Sequence, residues 1–217
     1  MPAVIDLAQP LADVQVAATR PEFVIAVREL CEFAAKSGDL DLRFTPSPTA
    51  QEGIAGHKKV AARRGDGHRT EVWLTGRHDN LLVRGRADGF NDAEGLLEEV
   101  KTFRGDLTRQ PANQRAMHWA QARTYGWLLC QQLGLATLRI RLVYFDIGTE
   151  VETVFEEVGS ADDLRHAFEN LCARFAGWAR QELGHRSSRN AALDALSFLH
   201  PEFRTGQRAG RAHLHGH

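Results

Sequence analysis

Two shortages in the sequence narrow the class of protein: it has few cysteines, and it has no long apolar run. Only three cysteines occur in 217 residues, they lie far apart, and no CxxC or CxxxC pair suits zinc. There is no apolar run of about 18 residues that could cross a membrane. The first residues lack a basic segment followed by an apolar core. We therefore expect free thiols in helices, no disulfide framework and a cytoplasmic globular protein without a membrane partner.

The formal net charge of −1 hides an uneven distribution of charge. Residues 55–125 contain 13 Lys and Arg against 9 Asp and Glu, whereas the rest of the chain contains 14 against 19. A basic central segment in a neutral protein hints at a polyanionic partner. Basic residues spread along a chain are, however, more often a solvated face.

The apolar pattern predicts an α/β fold. Helical spacing is predicted for residues 21–36, about 48–64, 112–134 and a long amphipathic stretch that begins at Ser160. Strand-like runs cover residues 68–76, 80–90, 95–103 and 135–148, with a hairpin partner at 149–158. Turn-forming RHDN and NDAEG separate the first three runs, which predicts an antiparallel meander.

Charged residues interrupt the third strand-like run, GLLEEVKTF. In a strand, Glu99 and Lys101 share one face, whereas Glu98 lies on the opposite face and is predicted to be dispensable. Asp88 ends the preceding run, 11 residues before Glu99. If the two strands pair through NDAEG, Asp88 and Glu99 come close together.

Two converging carboxylates repel each other unless a cation lies between them. Their oxygens suit Mg²⁺ or Mn²⁺, and Lys101 beside them could hold a phosphate or help to activate water. The pattern therefore indicates a site for metal-assisted phosphodiester cleavage. The alternative is that Glu-x-Lys forms a weak cross-strand pair on an exposed strand.

Three further residues each allow two interpretations. His57, taken alone, is more often a surface or capping residue than a metal ligand. Gln121 and Tyr125 are four residues apart and share a helical face. Tyr125 could simply be a core residue, with Gln121 solvated.

In this order, the segments GRADGF, EVKT and QARTY resemble the PD-(D/E)XK nucleases, in the branch typified by the RecB nuclease domain and the CRISPR-adaptation exonucleases. The resemblance covers about residues 48–147. It implies a restriction-endonuclease-like core of a helix, a three-stranded antiparallel meander, a helix and a strand. Added N- and C-terminal helices and a hairpin towards the C-terminus would complete the fold.

The resemblance also implies roles for individual residues. Asp88, Glu99 and Lys101 would be catalytic, with Lys101 orienting or deprotonating the attacking water. The metal ligands would be His57, Asp88, Glu99 and the backbone carbonyl of Val100, and the ion would be Mg²⁺ or Mn²⁺. Gln121 and Tyr125 would contact DNA. Thr102 is also expected to bind DNA, and Arg86 and Arg104, as basic residues beside the site, could add phosphate contacts.

The cysteine count and the C-terminal tail also bear on the comparison with this family. Many members of the branch hold an iron–sulfur cluster with four cysteines, and this chain has three, none clustered near its C-terminus, so no cluster is expected.

The tail segment LSFLHPEFRTGQRAG resembles the opening motif of superfamily 2 helicases of the XPD/DinG type, although a polar linker is the alternative. No GxxxxGK loop follows it, so ATP binding is not expected. We expect a nuclease domain over residues 1–195, and a linker with the start of a truncated helicase domain over residues 196–217.

The leading hypothesis is a Mg²⁺- or Mn²⁺-dependent deoxyribonuclease acting on single strands or DNA ends, as part of a helicase–nuclease in DNA repair or processing. The first alternative is a catalytically inactive nuclease-fold module that binds DNA and guides a helicase. The second is a protein-interaction domain that docks partners through its hairpin and acidic C-terminal helix. Exonuclease or endonuclease action, polarity, DNA or RNA preference and oligomeric state stay open.

Overall fold

Six strands and four α-helices occur in residues 23–35 and 48–195, which are the residues that the computed structural model describes. The elements are β1 (Phe23–Ala26), α1 (Val27–Ala34), α2 (Ala50–Ala62), β2 (His68–His78), β3 (Leu81–Asn91), β4 (Leu96–Phe103), α3 (Ala112–Leu133), β5 (Thr137–Asp146), β6 (Glu152–Ser160) and α4 (Ala161–Asp194). The order from α2 to β5 confirms the predicted α/β core, and β6 confirms the hairpin. The helicase-like tail motif lies outside the described residues.

The arrangement around β3 shapes the sheet. β2 pairs antiparallel with β3 along its whole length. The other edge of β3 is shared, because β1 pairs in parallel with its first residues, Leu81 to Arg84, and β4 pairs antiparallel with its last, Gly89 to Asn91. β4 then pairs in parallel with β5, and β5 antiparallel with β6. Residues 85–88 of β3 therefore lie where β1 and β4 separate.

Buried apolar side chains form two clusters. The larger contains residues of α1, α3 and α4 together with the sheet, and it holds three free, buried cysteines, one in each of these helices. The smaller lies at α2 and consists of Val60, Val100, Val143 and Phe145, with Ile147 packed against it. β4 therefore carries Leu97 in the first cluster and Val100 in the second, as the alternation of a strand requires.

The predicted first helix is wrong in its opening turn. Phe23–Ala26 forms β1, and the helix begins only at Val27. Backbone pairing with β3 is a long-range interaction that outweighs a helical pattern in a short segment. Phe33, expected on the buried face, is 42% exposed.

The chain divides into two compact units after Ala176. The described part of the second unit is the end of α4, where Arg186 Nε donates to Glu182 Oε1 at 2.9 Å, one turn away. In the first unit, the Asp163 amide donates to Ser160 Oγ at 3.1 Å, which confirms Ser160 as the cap of α4. Within the described residues, no helix has both the length and the apolar character needed to cross a membrane.

Candidate active site

Asp88 lies in the gap between β1 and β4. The β3–β4 ladder stops at the pair Gly89 and Glu98, and beyond it the Val100 amide donates to Asp88 Oδ2 at 2.7 Å. The carboxylate thus replaces the backbone acceptor that the ladder no longer supplies. Asp88 Oδ1 lies 3.1 Å from His57 Nδ1, so the same side chain connects β3, β4 and α2.

The close approach of α2 to β4 positions His57. A Cβ atom at Gly56 would lie 2.5 Å from Thr102 Cγ2 and 3.2 Å from Phe145 Cδ1, so a glycine is needed at this contact. The hydrogen bond to Asp88 raises the pKa of His57, against the effect of burial. His57 is therefore held over Asp88 by the packing of its helix and by charge.

Glu99 is the most deeply buried carboxylate of the site, at 2% exposure. Lys101 Nζ donates to Glu99 Oε1 at 2.8 Å and to Gln121 Oε1 at 2.8 Å. The second oxygen, Oε2, is buried and has no hydrogen-bond partner among the described residues. Burial raises the pKa of Glu99 to about 7, and the Asp88 charge adds to the rise while Lys101 opposes it. The charge of Lys101 therefore offsets only part of the cost of ionising the buried Glu99 carboxylate.

The donor set can be tested for a divalent cation. In the described part of the chain, no three His, Cys, Asp or Glu side chains converge closely enough to form a metal cage in this conformation. His57 contacts Asp88 instead, and Lys101 engages Glu99. The chemistry nevertheless fits a hard ion, because the two carboxylates and the imidazole line the same cavity and one buried carboxylate oxygen has no partner among the described residues.

The structure corrects the role expected of Tyr125. Its side chain belongs to the core and is 4% exposed, and its hydroxyl packs against Gly85, where a Cβ would lie 2.7 Å away. Burial raises the pKa of Tyr125, and a hydrogen bond with Gln121 opposes the rise. Tyr125 thus cannot contact DNA in this conformation, and its hydroxyl instead forms a hydrogen bond with the Gln121 side chain.

The other residues predicted to bind DNA lie around the site rather than in its centre. Arg86 donates to Glu71 at 3.0 Å, and Arg104 pairs with Glu52. Both pairs are exposed, and such pairs are weak enough to exchange for a phosphate. Thr102 packs on α2 at the margin of the cavity.

Two cavities meet at this constellation. The first, about 330 Å³, is lined by Glu99, Lys101 and Gln121, together with His118 of α3 and Arg28 of α1. The second, about 570 Å³, shares Arg28, His57, Asp88 and Val100 with the first. Asp88 and His57 therefore lie at the boundary between the two cavities.

Sequence reasoning missed His118 and Arg28. His118 precedes Gln121 by three residues, so helical spacing was a signal that could have found it. Arg28 is the second residue after β1, and its position depends on the parallel pairing of β1 with β3, for which the sequence carries no local signal. Arg28 Nε donates to Glu32 Oε1 at 2.7 Å on the exposed side of α1.

Glu98 lies on the opposite face of β4, as predicted, but its surroundings do not fit a dispensable residue. It is 1% exposed and accepts from Arg64 Nε at 2.6 Å and from Arg141 NH1 at 3.1 Å. Both arginines also bond acidic residues of β6, Glu152 and Glu156. Removing this buried carboxylate would take one of two acidic partners from each arginine, so Glu98 contributes to stability.

Comparisons with known proteins add a distant likeness in fold. Neither a protein-family model nor a curated protein matches the chain. Among solved structures, it is similar to an alkaline exonuclease from Laribacter hongkongensis, at 14% identity and a TM-score of 0.47, over 78% of this chain and 94% of that one. It is also similar to a phage-related exonuclease from Haemophilus somnus 129PT, at 14% identity and a TM-score of 0.43, over 74% of this chain and 82% of that one. Likeness of this size does not assign an activity.

Proposed function

We propose that this chain is a metal-dependent nuclease that hydrolyses phosphodiester bonds of DNA, on single strands or at strand ends. One observation carries the proposal: the buried Glu99 carboxylate has one oxygen on Lys101 and the other without a partner, at the wall of an open cavity. A buried, partly unpaired carboxylate beside a lysine is costly for stability, and such arrangements occur where chemistry requires them.

The residues that would hold Mg²⁺ or Mn²⁺ are His57, Asp88 and Glu99, together with the carbonyl of Val100. A divalent ion bound there supplies positive charge against the phosphate and lowers the pKa of a bound water. A positive charge would be stabilised there, since Asp88 and Glu99 lie on adjacent strands and the Asp88 charge helps to raise the pKa of Glu99.

Lys101 has a separate role. An ammonium group has three N–H donors, and here two of them are held by Glu99 Oε1 and Gln121 Oε1. The third is left for the attacking water or for a phosphate oxygen in the cavity. Gln121 acts on the substrate through Lys101, because it limits the directions in which Nζ can point.

Cleavage of labelled single-stranded DNA with Mn²⁺ or Mg²⁺ tests the proposal. We expect Lys101→Ala to lower the rate by about 100-fold or more, the usual contribution of a positioned proton-transfer group. Lys59→Ala is the matched control, because Lys59 is an exposed lysine of α2 that pairs with Glu150 away from the cavity. Equal rates for wild type and Lys101→Ala would reject the mechanism.

Calorimetry separates the nuclease from a non-catalytic DNA-binding module. We expect Mn²⁺ to bind the wild type, and both Asp88→Asn and Glu99→Gln to weaken that binding. Salt-sensitive DNA binding without metal binding or cleavage would favour the binding module instead.

Action together with a helicase in DNA repair or processing depends on the tail motif at residues 203–207. Those residues lie outside the described part of the chain, so this association stays a prediction from the sequence.

A further inference from the structure

We propose that His118 is an additional substrate-binding residue of the 330 Å³ cavity, where its neutral imidazole donates a hydrogen bond from Nε2 to a phosphate oxygen of the nucleic acid. The inference rests on the proposed nuclease function and deepens it, by adding a donor to a site so far described through its carboxylates and one lysine.

The position of His118 places it in the site. It lies on α3, three residues before Gln121, and therefore on the same helical face. It lines the same cavity as Glu99, Lys101 and Gln121. His118 therefore faces any ligand that occupies the 330 Å³ cavity beside Lys101.

Tyr144 determines which ring nitrogen of His118 carries the hydrogen. The Tyr144 hydroxyl lies 2.9 Å from His118 Nδ1, and the two ring centroids are 5.7 Å apart. Tyr144 is fully buried on β5 and is held edge-on by Phe103 and Phe155, so its hydroxyl has little freedom to move.

The partners of the Tyr144 hydroxyl give the hydrogen bond its direction. The side chains of Gln110 and Arg115 also contact the hydroxyl and oppose the rise of the Tyr144 pKa to about 12 that burial causes. A guanidinium group only donates, so the phenol oxygen accepts from Arg115. With Arg115 donating to the phenol oxygen, the phenol hydrogen is free for His118 Nδ1 to accept.

An imidazole that accepts at Nδ1 is neutral and carries its hydrogen on Nε2. Burial, together with the positive charges of Lys101, Arg28 and Arg115, lowers the pKa of His118 to about 3, so the ring stays neutral at working pH. Within the described residues, Nε2 of His118 has no hydrogen-bond partner. A phosphodiester oxygen only accepts, so a fixed N–H at the cavity wall matches it.

Two substitutions separate a substrate contact from a structural role. In His118→Gln, the side-chain amide reaches the position of Nε2 and keeps a donor in the cavity, but it loses the bond to Tyr144. In His118→Asn, the amide oxygen can replace Nδ1 as the acceptor for Tyr144, but the side chain is too short to donate into the cavity. We expect kcat/KM for single-stranded DNA to fall roughly 10- to 100-fold further in the Asn variant than in the Gln variant, the usual effect of a hydrogen bond to a charged group. Equal rates in the two variants, or a faster Asn variant, overturn the inference.

Nitrogen NMR of the imidazole rings gives a readout that needs no cleavage. We expect the wild-type His118 ring to carry its hydrogen on Nε2 at pH 7, and Tyr144→Phe to produce a mixture of the two tautomers. A hydrogen on Nδ1 in the wild type overturns the inference. Wild type that does not cleave DNA in Mn²⁺ or Mg²⁺ would refute the nuclease function instead, whatever the tautomer. A cleaving wild type with the Gln and Asn variants in the wrong order would refute only the role of His118.

Discussion

Replacing Gly56 by alanine tests how closely α2 must approach the sheet for the site to work. The added Cβ would meet Thr102 Cγ2 at 2.5 Å, where ordinary carbon contacts are about 3.5–4.0 Å, so the Thr102 side chain, the helix or the strand must move by about 1 Å. Overpacking of this kind costs about 1–3 kcal/mol. Alanine regains about 1 kcal/mol of helix propensity relative to glycine. We therefore expect the free energy of unfolding to fall by about 0–2 kcal/mol.

The effect of Gly56→Ala on activity should exceed its effect on stability. His57 follows Gly56 directly and contacts Asp88 at 3.1 Å, so the same displacement moves a proposed metal ligand. A misplacement of about 1 Å at a catalytic centre can lower the rate about 100-fold. Urea unfolding measures the first quantity, and the initial rate of DNA cleavage measures the second.

Gly53→Ala is the matched control on the same helix. Its added Cβ would lie 3.6 Å from Thr102 Oγ1, which is an ordinary contact, so we expect a gain of up to about 1 kcal/mol and unchanged activity. Thr102→Ser removes the methyl group that Gly56→Ala would strike, and it should restore part of the activity in the double variant. Identical behaviour of Gly53→Ala and Gly56→Ala would refute the close-approach argument.

Three further predictions concern the buried polar groups. Glu98→Gln should lower the free energy of unfolding by about 1–3 kcal/mol, because Arg64 and Arg141 each lose one buried counter-charge while keeping Glu152 and Glu156; urea unfolding measures this, with the exposed Glu94→Gln as control, and equal losses would contradict it. Because the folded pKa of Glu99 is raised from 4.5 to about 7, its contribution to stability is present below pH 4.5 and is lost as the pH rises through 7. Without divalent ions, Glu99→Gln should therefore raise the Tm at pH 8 but not at pH 4, and a Tm difference independent of pH would argue against this. Tyr125→Phe should lower the free energy of unfolding by about 1 kcal/mol and loosen Gln121. We expect a lower cleavage rate and unchanged DNA binding in the absence of metal. Weaker DNA binding would instead indicate that Tyr125 contacts DNA directly.

Local patterns in the sequence account for much of the site. Alternation in β4 predicts that Glu99 and Lys101 share a face, and the NDAEG turn predicts that β3 and β4 pair; the structure has Gly89 opposite Glu98, which leaves Asp88 next to Glu99. These inferences succeed because strand alternation and hairpin turns depend on residues close together in the chain. The helix predicted from residue 21 fails because a parallel partner 58 residues away, Leu81 opposite Phe23, decides the conformation of β1.

The sequence by itself determined the order of helices and strands from α2 onwards, the alternation that places Glu99 with Lys101, and the helical spacing of Gln121 and Tyr125. Only the tertiary structure decided that Tyr125 is buried, that Glu98 is held by two arginines, and that His118 faces the cavity with its Nδ1 on Tyr144. The physical reason is the range of the interactions. Backbone geometry assigns a side chain to a face within a few residues, whereas burial and hydrogen-bond partners depend on what distant segments bring to that face.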